Sequence, residues 1–479
     1  MPTLPKVTTA WKSGGLGLGP PDMSAVSAKI GPAEAGTDNQ IYIVSSDDYA
    51  RTTFKSGPLL DDILDHLSVR KSLLLVIPSE KDQVGTVGEP VLTGTGTGVL
   101  TTVLQTGKDS PLRTTDWRVK ITVGGAVGTM KFRLSSDGGV SYGAEVDTTE
   151  ETSPYTHALD DDTEAVFTDD TEPEGSWIAG DIWAWENTMG TSSTTTILAA
   201  LDEFKYDRRP AYVQICGEAE PAFWASLDVW AGTHHDSRER EIWFIVNAVG
   251  KTAEQTVDEW ITALTADTDN FFSERVCICA GGLKVATLTG TVEEHRLAAF
   301  IAGDVARARV QQSIGKLRNL GEFPEGARFP GATGLLPDGI TEAQILVLDH
   351  ARLTTARFHE GYGYFPTNGR IMASVTSDFR YVETRRVADK ALNLCRAAAY
   401  AYLHSEADEA GIAALQGGVE FPLTGMLGDG EITGYEVVIP LGQDIFSTSA
   451  VDVEIAIIPV PIMRWIHLKF RLRNPFFSG

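Results

Sequence analysis

The sequence of 479 residues is poor in cysteine, in long apolar runs and in positive charge. It has four cysteines and no Cys-x-x-Cys pair, so it lacks the usual pattern of a zinc finger or a redox site. The longest apolar runs, 73–77 and 455–462, are too short to span a bilayer, and we expect no membrane insertion. Forty Lys and Arg against 65 Asp and Glu give a net charge of −25, which disfavours nucleic-acid binding.

Catalytic and ligand-binding motifs are also missing. No Walker A pattern, nucleophile elbow or His-Glu-x-x-His motif occurs, so we expect no catalytic residue, no metal site and no cofactor. The N-terminal residues show neither an apolar h-region nor a small-residue cleavage site, so we expect no signal peptide and folding in a reducing cytoplasm. We expect the four cysteines to be buried structural residues. They are Cys216, Cys277, Cys279 and Cys395.

The distribution of elements predicts an α/β core with a mixed, mostly parallel sheet. Residues 1–35 contain two Pro-Gly clusters around a short apolar alternation and predict an extended N-terminal arm. Its apolar positions are Val26, Ala28 and Ile30. Residues 36–84 together with 192–340 alternate strands with helices, which is typical of a parallel α/β sheet. Within them, 40–78 reads as a β-α-β unit, and Glu293–Glu294–His295 reads as the opening of a long helix.

Residues 85–191 predict an inserted all-β domain. Thr, Gly and Val dominate there, and helical periodicity is absent. This segment contains 18 acidic and six basic residues, so it carries about half of the net charge of the chain. Its densest acidic stretch, 160–174, lacks the spacing and the glycine of an EF-hand and favours solvated loops. We therefore expect this domain to face outward.

The last third of the chain predicts an α+β C-terminal domain over 341–460 and an extended C-terminal arm over 461–479. Predicted elements of the domain are helices at 342–351 and 381–400, a short strand at 369–374, and strands from 435 and 451. In the arm, apolar and basic residues alternate from 463 to 473, with no acid among them. This alternation predicts a strand with one apolar face.

The order of features over residues 299–390 resembles contractile tail sheath proteins of bacteriophages and related particles. The similar features are a helix of small residues at 299–307, a loop from Gln311, a Gly/Pro-rich stretch from Phe329, a helix at 341–352 and an aromatic turn with an Arg-Arg helix at 377–390. The resemblance covers about residues 36–78 and 192–479. The inserted domain varies freely in that family.

The resemblance implies a structural subunit rather than an enzyme. Such a subunit polymerises into a helical sleeve around a tail tube and contracts to drive the tube through the host envelope. Its partners would be further copies of itself, the tail tube protein, and baseplate and tail terminator proteins, with no nucleic acid. It would be assembled in the host cytoplasm and reside in the virion tail.

A sheath subunit of this kind would use four groups of residues to bind its neighbours, because extended arms can add strands to the sheets of other copies. The inter-subunit arm strand would comprise Arg464, Trp465, Ile466, Leu468, Phe470, Arg471, Leu472 and Arg473. The recipient strand would comprise Val451, Val453, Ile455 and Ile457. The tube-facing helix would use Arg385, Arg386, Lys390 and Arg396. The N-terminal arm would contribute Val26, Ala28 and Ile30.

Three alternatives remain open at the level of sequence. The arginine pair 385–386 could simply form local pairs with Glu383 and Asp389. The chain could be an α/β enzyme with an unrecognised site, which would show convergent residues with shifted pKa values at the C-terminal ends of the strands. It could also be an acidic carbohydrate- or calcium-binding surface protein that uses the inserted domain.

Overall fold

A computed structural model describes residues 25–160, 162–171, 176–205, 207, 209–239, 241–252, 254–286, 292–317 and 329–470. The chain divides into two compact units. The larger unit comprises Val26–Arg307 and Ile314–Tyr381. The smaller unit contains Ala308–Ser313 together with the chain from Val382 onward.

The larger unit holds helices and strands in alternation. Its helices are α1 (Asp47–Phe54), α2 (Pro58–Val69), α3 (Thr194–Asp202), α4 (Pro221–Arg238), α5 (Val257–Asp269), α6 (Leu297–Arg307) and α7 (Glu342–His350). Its strands up to residue 135 are β1 (Ser27–Gly31), β2 (Tyr42–Val44), β3 (Leu74–Pro78), β4 (Val91–Thr93), β5 (Val99–Leu104), β6 (Thr115–Val123) and β7 (Lys131–Ser135). The next strands are β8 (Glu145–Asp147), β9 (Tyr155–Ala158), β10 (Thr163–Thr168), β11 (Ile182–Asn187), β12 (Tyr212–Glu218) and β13 (Trp243–Asn247). The remaining strands are β14 (Val276–Cys279), β15 (Gly282–Ala286), β16 (Val292–Arg296), β17 (Ala332–Leu336), β18 (Ala356–His359) and β19 (Gly363–Pro366).

A six-stranded sheet in the order β14-β13-β12-β1-β3-β2 lies at the centre of the larger unit. β1 runs parallel to β12 on one side and to β3 on the other, and all its residues are buried. Val26, just before β1, packs against the same core. The expectation of an N-terminal arm at Val26, Ala28 and Ile30 is therefore wrong, because these residues belong to the sheet. The rest of the predicted arm, residues 1–24, lies outside the described residues.

The first crossover of the sheet differs from the predicted β-α-β unit at 40–78. β2 runs antiparallel to β3, with Tyr42 opposite Val76. The parallel partner of β3 is instead β1, with Ala28 opposite Leu75. The helix in this crossover, α2, begins at Pro58 as predicted, because proline at the first helical position loses no hydrogen bond.

The helices that alternate with β12, β13 and β14 cover the sheet with aromatic side chains. As the sequence predicted, tryptophans of these segments are buried in the core. They are Trp224, Trp230, Trp243 and Trp260. The acidic triplet at 293–295 differs from expectation. It lies in β16, where His295 is opposite Leu283 of β15, and α6 begins only at Leu297. The start of α6 is fixed by Asn247, whose side-chain oxygen accepts a hydrogen bond from the Ala298 amide at 2.8 Å.

The segment between β3 and α3 forms two antiparallel sheets and, among its described residues, no helix. The sheet orders are β5-β10-β9 and β4-β11-β6-β7-β8. Together they enclose a hydrophobic core that includes Trp117, Trp177, Trp183 and Trp185. The two ends of the segment lie side by side, since the Gln83 amide donates to the Thr191 carbonyl at 3.0 Å.

Residues 341–381 pack on the α/β core rather than with the rest of the chain that follows them. Leu348, Leu353 and Met372 are buried in the same core as the central sheet. The Thr354 amide donates to the Ile278 carbonyl at 2.8 Å, which continues the sheet beyond β14. The predicted strand at 369–374 forms only an isolated bridge at Arg370. The boundary between the two units thus falls at Tyr381, later than the predicted domain start at 341.

The smaller unit consists of helices packed on a two-stranded hairpin. Its elements are α8 (Val382–Ala399), α9 (Glu409–Gly428), β20 (Ile432–Val438), α10 (Ile445–Thr448) and β21 (Glu454–Pro459). Its core joins α8 and α9 to the hairpin, as α9 buries Val419, Leu423 and Met426. No helix in the described part of the chain is long and apolar enough to cross a membrane. All four cysteines are buried and unpaired, as expected.

Candidate assembly site

The C-terminal segment, residues 460–470, follows β21 without forming a helix or strand. Trp465 is 73% exposed and Phe470 is 90% exposed. Met463, Ile466 and Leu468 are exposed to a similar degree. So many large hydrophobic residues in a short stretch are typical of a surface that a partner covers. Arg471, Leu472 and Arg473 lie outside the described residues.

The hairpin of β20 and β21 presents two sheet edges. Val437 is opposite Ile455, and Tyr435 is opposite Ile457. Because the sheet has two strands, each strand pairs on one side only within the described residues. Among the predicted recipient residues, Ile455 and Ile457 lie in β21, whereas Val451 and Val453 lie in the residues before it. The side chains of Val453 and Ile457 pack against the core of the unit, whereas Ile455 is 39% exposed.

The arginine pair of α8 does not form an open basic surface. Arg385 is buried and pairs with Asp389 at 2.6 Å, one helical turn away. Arg386 is buried and donates to the carbonyl oxygens of Ala308 at 3.1 Å and Arg309 at 3.2 Å. The local pair between Arg385 and Asp389 agrees with the alternative interpretation of the sequence. The prediction of a tube-facing arginine pair is wrong, because both guanidinium groups serve contacts inside the unit.

The two remaining cations of α8 are likewise engaged. Lys390 is largely buried and pairs with Glu431, which precedes β20, at 2.7 Å. Arg396 is half-buried and donates to the side-chain oxygen of Asn393 at 3.4 Å. Arg386 and Lys390 therefore link α8 to other segments of the smaller unit, whereas the described contacts of Arg385 and Arg396 lie within α8.

The C-terminal segment contacts α8 through Arg464. Arg464 pairs with Glu383, and both side chains are nearly buried. Burial raises the pKa of Glu383, while the charge of Arg464 acts against that rise. Arg464 is one of the predicted inter-subunit residues, and its contact with Glu383 was not predicted, since the two residues are 81 positions apart.

The helix α9 was not predicted from the sequence, and it exposes one apolar face. Phe421 is 80% exposed and Leu427 is 41% exposed. A side chain at Gly417 or Gly425 would meet no neighbouring atom, so the small residues of this face are not required by packing inside the subunit. Around Phe421, this face consists of the exposed residues Gly417, Thr424, Gly425 and Gly428, none of which is charged.

The enzyme alternative requires ionisable residues with shifted pKa values in an open site. A group of ionisable residues with shifted pKa values does occur, but it lies inside the α/β core. Lys29 of β1 is fully buried and donates to Gln214 of β12. Gln214 in turn donates to Asp62 of α2 at 2.8 Å. Burial lowers the pKa of Lys29 and raises the pKa of Asp62 to about 6. Because Lys29, Gln214 and Asp62 are shielded from solvent and Lys29 lies midway along its strand, the group is a satisfied core network rather than a substrate site.

Carboxylates in the acidic loops of the inserted segment accept hydrogen bonds from within that segment. Asp160 accepts hydrogen bonds from the amide and hydroxyl of Thr163, each at 2.7 Å. Asp169 accepts from the Val127 amide at 3.0 Å and from the Trp177 indole at 2.9 Å. Among the described residues, no group of three or more His, Cys, Asp or Glu could hold a metal ion.

Solved structures with a similar fold are sheath components. The chain is similar over 98% of its length to 98% of a chain from the sheath complex of an extracellular contractile injection system, PVC, in the contracted state, with a TM-score of 0.56 and 11% identity. It is similar over 98% of its length to 99% of a chain from the contracted helical sheath of the anti-feeding prophage, with a TM-score of 0.53 and 12% identity. A baseplate structure of that prophage contains a chain with a TM-score of 0.54, 11% identity and coverage of 99% and 100%. The chain thus has the fold found in contractile sheath proteins.

Comparison with models of sequence families shows the family of the chain. The family described as DUF2586, N-terminal domain, matches residues 4–370, and the DUF2586 C-terminal domain matches residues 378–477. The chain belongs to the DUF2586 family. A search of curated proteins finds no match.

Proposed function

We propose that this chain is the structural subunit of a contractile tail sheath. Copies polymerise into a helical sleeve around a tail tube, and the sleeve shortens to drive the tube through the envelope of a host cell. The observation that carries the proposal is the C-terminal segment, which leaves its hydrophobic side chains exposed in a subunit with a sheath fold. A terminal segment of this kind gains order only when a partner ties it down.

The connection between copies is strand addition. Residues 465–470 of one copy bind along an edge of the β20–β21 hairpin of another copy and place Ile466, Leu468 and Phe470 on one face. The added strand forms its main-chain hydrogen bonds with the edge of the hairpin. They persist while whole subunits move as rigid bodies during contraction.

The other partners follow from this role. Further copies form the stacked rings, a tail tube protein lies inside the sleeve, and baseplate and tail terminator proteins bind its two ends. The assembled protein resides in the tail of the particle, after assembly in the host cytoplasm. Its function is mechanical, with no reaction catalysed.

The contact with the tube uses the exposed face of α9 rather than the cations of α8. Small residues around Phe421 allow close approach of another surface, and a face almost without charge makes no strong ion pairs that contraction would have to break. Co-sedimentation of the F421S variant with purified tail tubes tests this contact. The control is L403S, which also changes an exposed residue. We expect weaker tube binding for F421S alone. Equal binding of both variants would place the tube contact elsewhere.

The acid-rich inserted segment faces outward from the sleeve. Its charge is readily solvated, whereas packing it between subunits would desolvate many carboxylates at high cost. This placement is consistent with side-by-side chain ends, which let the segment project from the α/β unit.

Light scattering of the purified protein over a range of concentrations tests the proposed function. We expect growth into rings, tubes or polysheaths as concentration rises, because unpaired edges associate. A monomer that stays stable at high concentration, with intact termini confirmed by mass spectrometry, would contradict the proposal.

A further inference from the structure

Side-chain exposure in the C-terminal segment rises sharply between two adjacent residues, Arg464 and Trp465. The side chain of Arg464 is 11% exposed and pairs with Glu383, whose side chain is 6% exposed. The next residue, Trp465, is 73% exposed. Arg464 therefore belongs to the folded unit, whereas the hydrophobic residues that follow it do not pack on that unit.

Glu383 receives its main opposing charge from this contact. It lies in the first turn of α8, where burial raises its pKa, and Arg464 contributes more against that rise than Arg386 does. The guanidinium of Arg385 is already paired with Asp389. A buried carboxylate that loses its cation destabilises a fold, so displacing Arg464 from this place is unfavourable.

The chain between the hairpin and this ion pair is short and stiff. β21 ends at Pro459, and a second proline, Pro461, lies on the way to Arg464. Proline fixes its own φ angle at about −65° and favours extended conformations for the residue before it. Arg464 lies five positions after Pro459, so the chain between them can span at most roughly 17 Å, and it is held at both ends.

We infer that the ion pair between Arg464 and Glu383 is an anchor that fixes where the connector leaves its own subunit. The inference rests on the proposed function and refines it, since the connector then begins at Trp465 and Arg464 is a positioning residue. A fixed origin limits which neighbouring hairpin edge Ile466 and Leu468 can reach. The anchor therefore sets the register between copies and keeps them linked while subunits move.

The anchor can be tested on the full chain by measuring the mobility of the segment and the yield of tubes. R464Q removes the cation, and the double variant E383Q/R464Q also removes the buried charge that R464Q would leave. R309Q, which removes an exposed cation from another part of the same unit, is the matched control. Spin labels on cysteines introduced at Met463 and at Ala413, both exposed, report the distance distribution by double electron–electron resonance. The four native cysteines are buried and would not be labelled.

We expect a narrow distance distribution in the parent and in R309Q, and a broader one in R464Q and in the double variant. Unlabelled R464Q and the double variant should give roughly tenfold fewer tubes at equal concentration, because a looser connector has a lower effective concentration at its docking edge. An unchanged distribution in the double variant would overturn the inference, as would a broader one with a normal yield of tubes. If the parent itself forms no tubes, the proposed function fails, while the distance distribution still decides whether the anchor exists.

Discussion

Ile30 of β1 is a single residue that distinguishes a core strand from an arm. It is fully buried and lies opposite Ile77 on one side and Ile215 on the other. We expect Ile30→Ala to lower the free energy of unfolding by about 2–5 kcal/mol, as for other buried large-to-small changes. Urea denaturation measures this, with Val140→Ala at an exposed position as the control. An effect as small as that of the control would mean that β1 is not part of the folded core.

His295 of β16 gives the larger unit a dependence on pH. Its hydrogen bond to Asp65 raises the pKa of the imidazole, and the two groups approach to 2.8 Å. A histidine whose folded pKa is raised stabilises the fold below its unfolded pKa of about 6.5, and this contribution is lost as pH rises through the folded value. We expect His295→Gln to lower the melting temperature at pH 6 more than at pH 8.5. If His295→Gln lowers the melting temperature equally at both pH values, the pair of His295 and Asp65 does not cause the pH dependence of stability.

In the proposed function, assembly depends on the C-terminal segment. Deleting residues 465–479 retains Arg464 and hence the partner of buried Glu383. We expect this truncated subunit to keep the circular dichroism and melting temperature of the full chain and to form no tubes. Deleting 461–479 also removes Arg464, and we expect that variant to be less stable, by about 3–5 kcal/mol.

Two results for the deletion of residues 465–479 would contradict this prediction. An unfolded product would mean that residues beyond Arg464 belong to the subunit's own sheet. Normal tubes would mean that copies are connected through other surfaces. Sedimentation and circular dichroism of the same preparation separate these outcomes.

Elements with strong periodicity were predicted from the sequence, whereas others, β1 and α9 among them, were not interpreted correctly. α8 and the strands at β3 and β12 have clear apolar patterns, and the structure confirms them. β1 resembles an arm in sequence because its partners come from distant parts of the chain. α9 contains Pro422 and several glycines, which weaken any helix signal, so the helix is held by packing against the hairpin rather than by propensity.

At the assembly site, periodicity predicted exposure better than it predicted contacts. The alternation of residues 463–470 indicated large side chains in need of a partner, and the structure leaves them uncovered. The sequence could not show that Arg385 and Arg386 are buried, because charge on a helix looks the same whether it faces solvent or a carbonyl oxygen. The contact of Arg464 with Glu383 depends on the path of the chain in space, which no local pattern encodes.

At the scale of the whole molecule, the inserted segment can be removed to test its role. The Gln83 and Thr191 backbones are hydrogen-bonded to each other, so residues 85–190 can be replaced by a short Gly-Ser linker without stretching the chain. We expect the shortened protein to remain folded and to form tubes of smaller diameter in negative-stain images. Loss of soluble, assembling protein would show that the segment belongs to the contacts between subunits.

Helical reconstruction of tubes formed by the full-length protein would show which copy each strand binds. We expect contacts in which residues 465–470 of one copy form an added strand on the β20–β21 hairpin of another, with Arg464 still paired to Glu383 of its own copy. Density that places residues 465–470 on their own subunit, or tubes held together without them, would contradict this expectation.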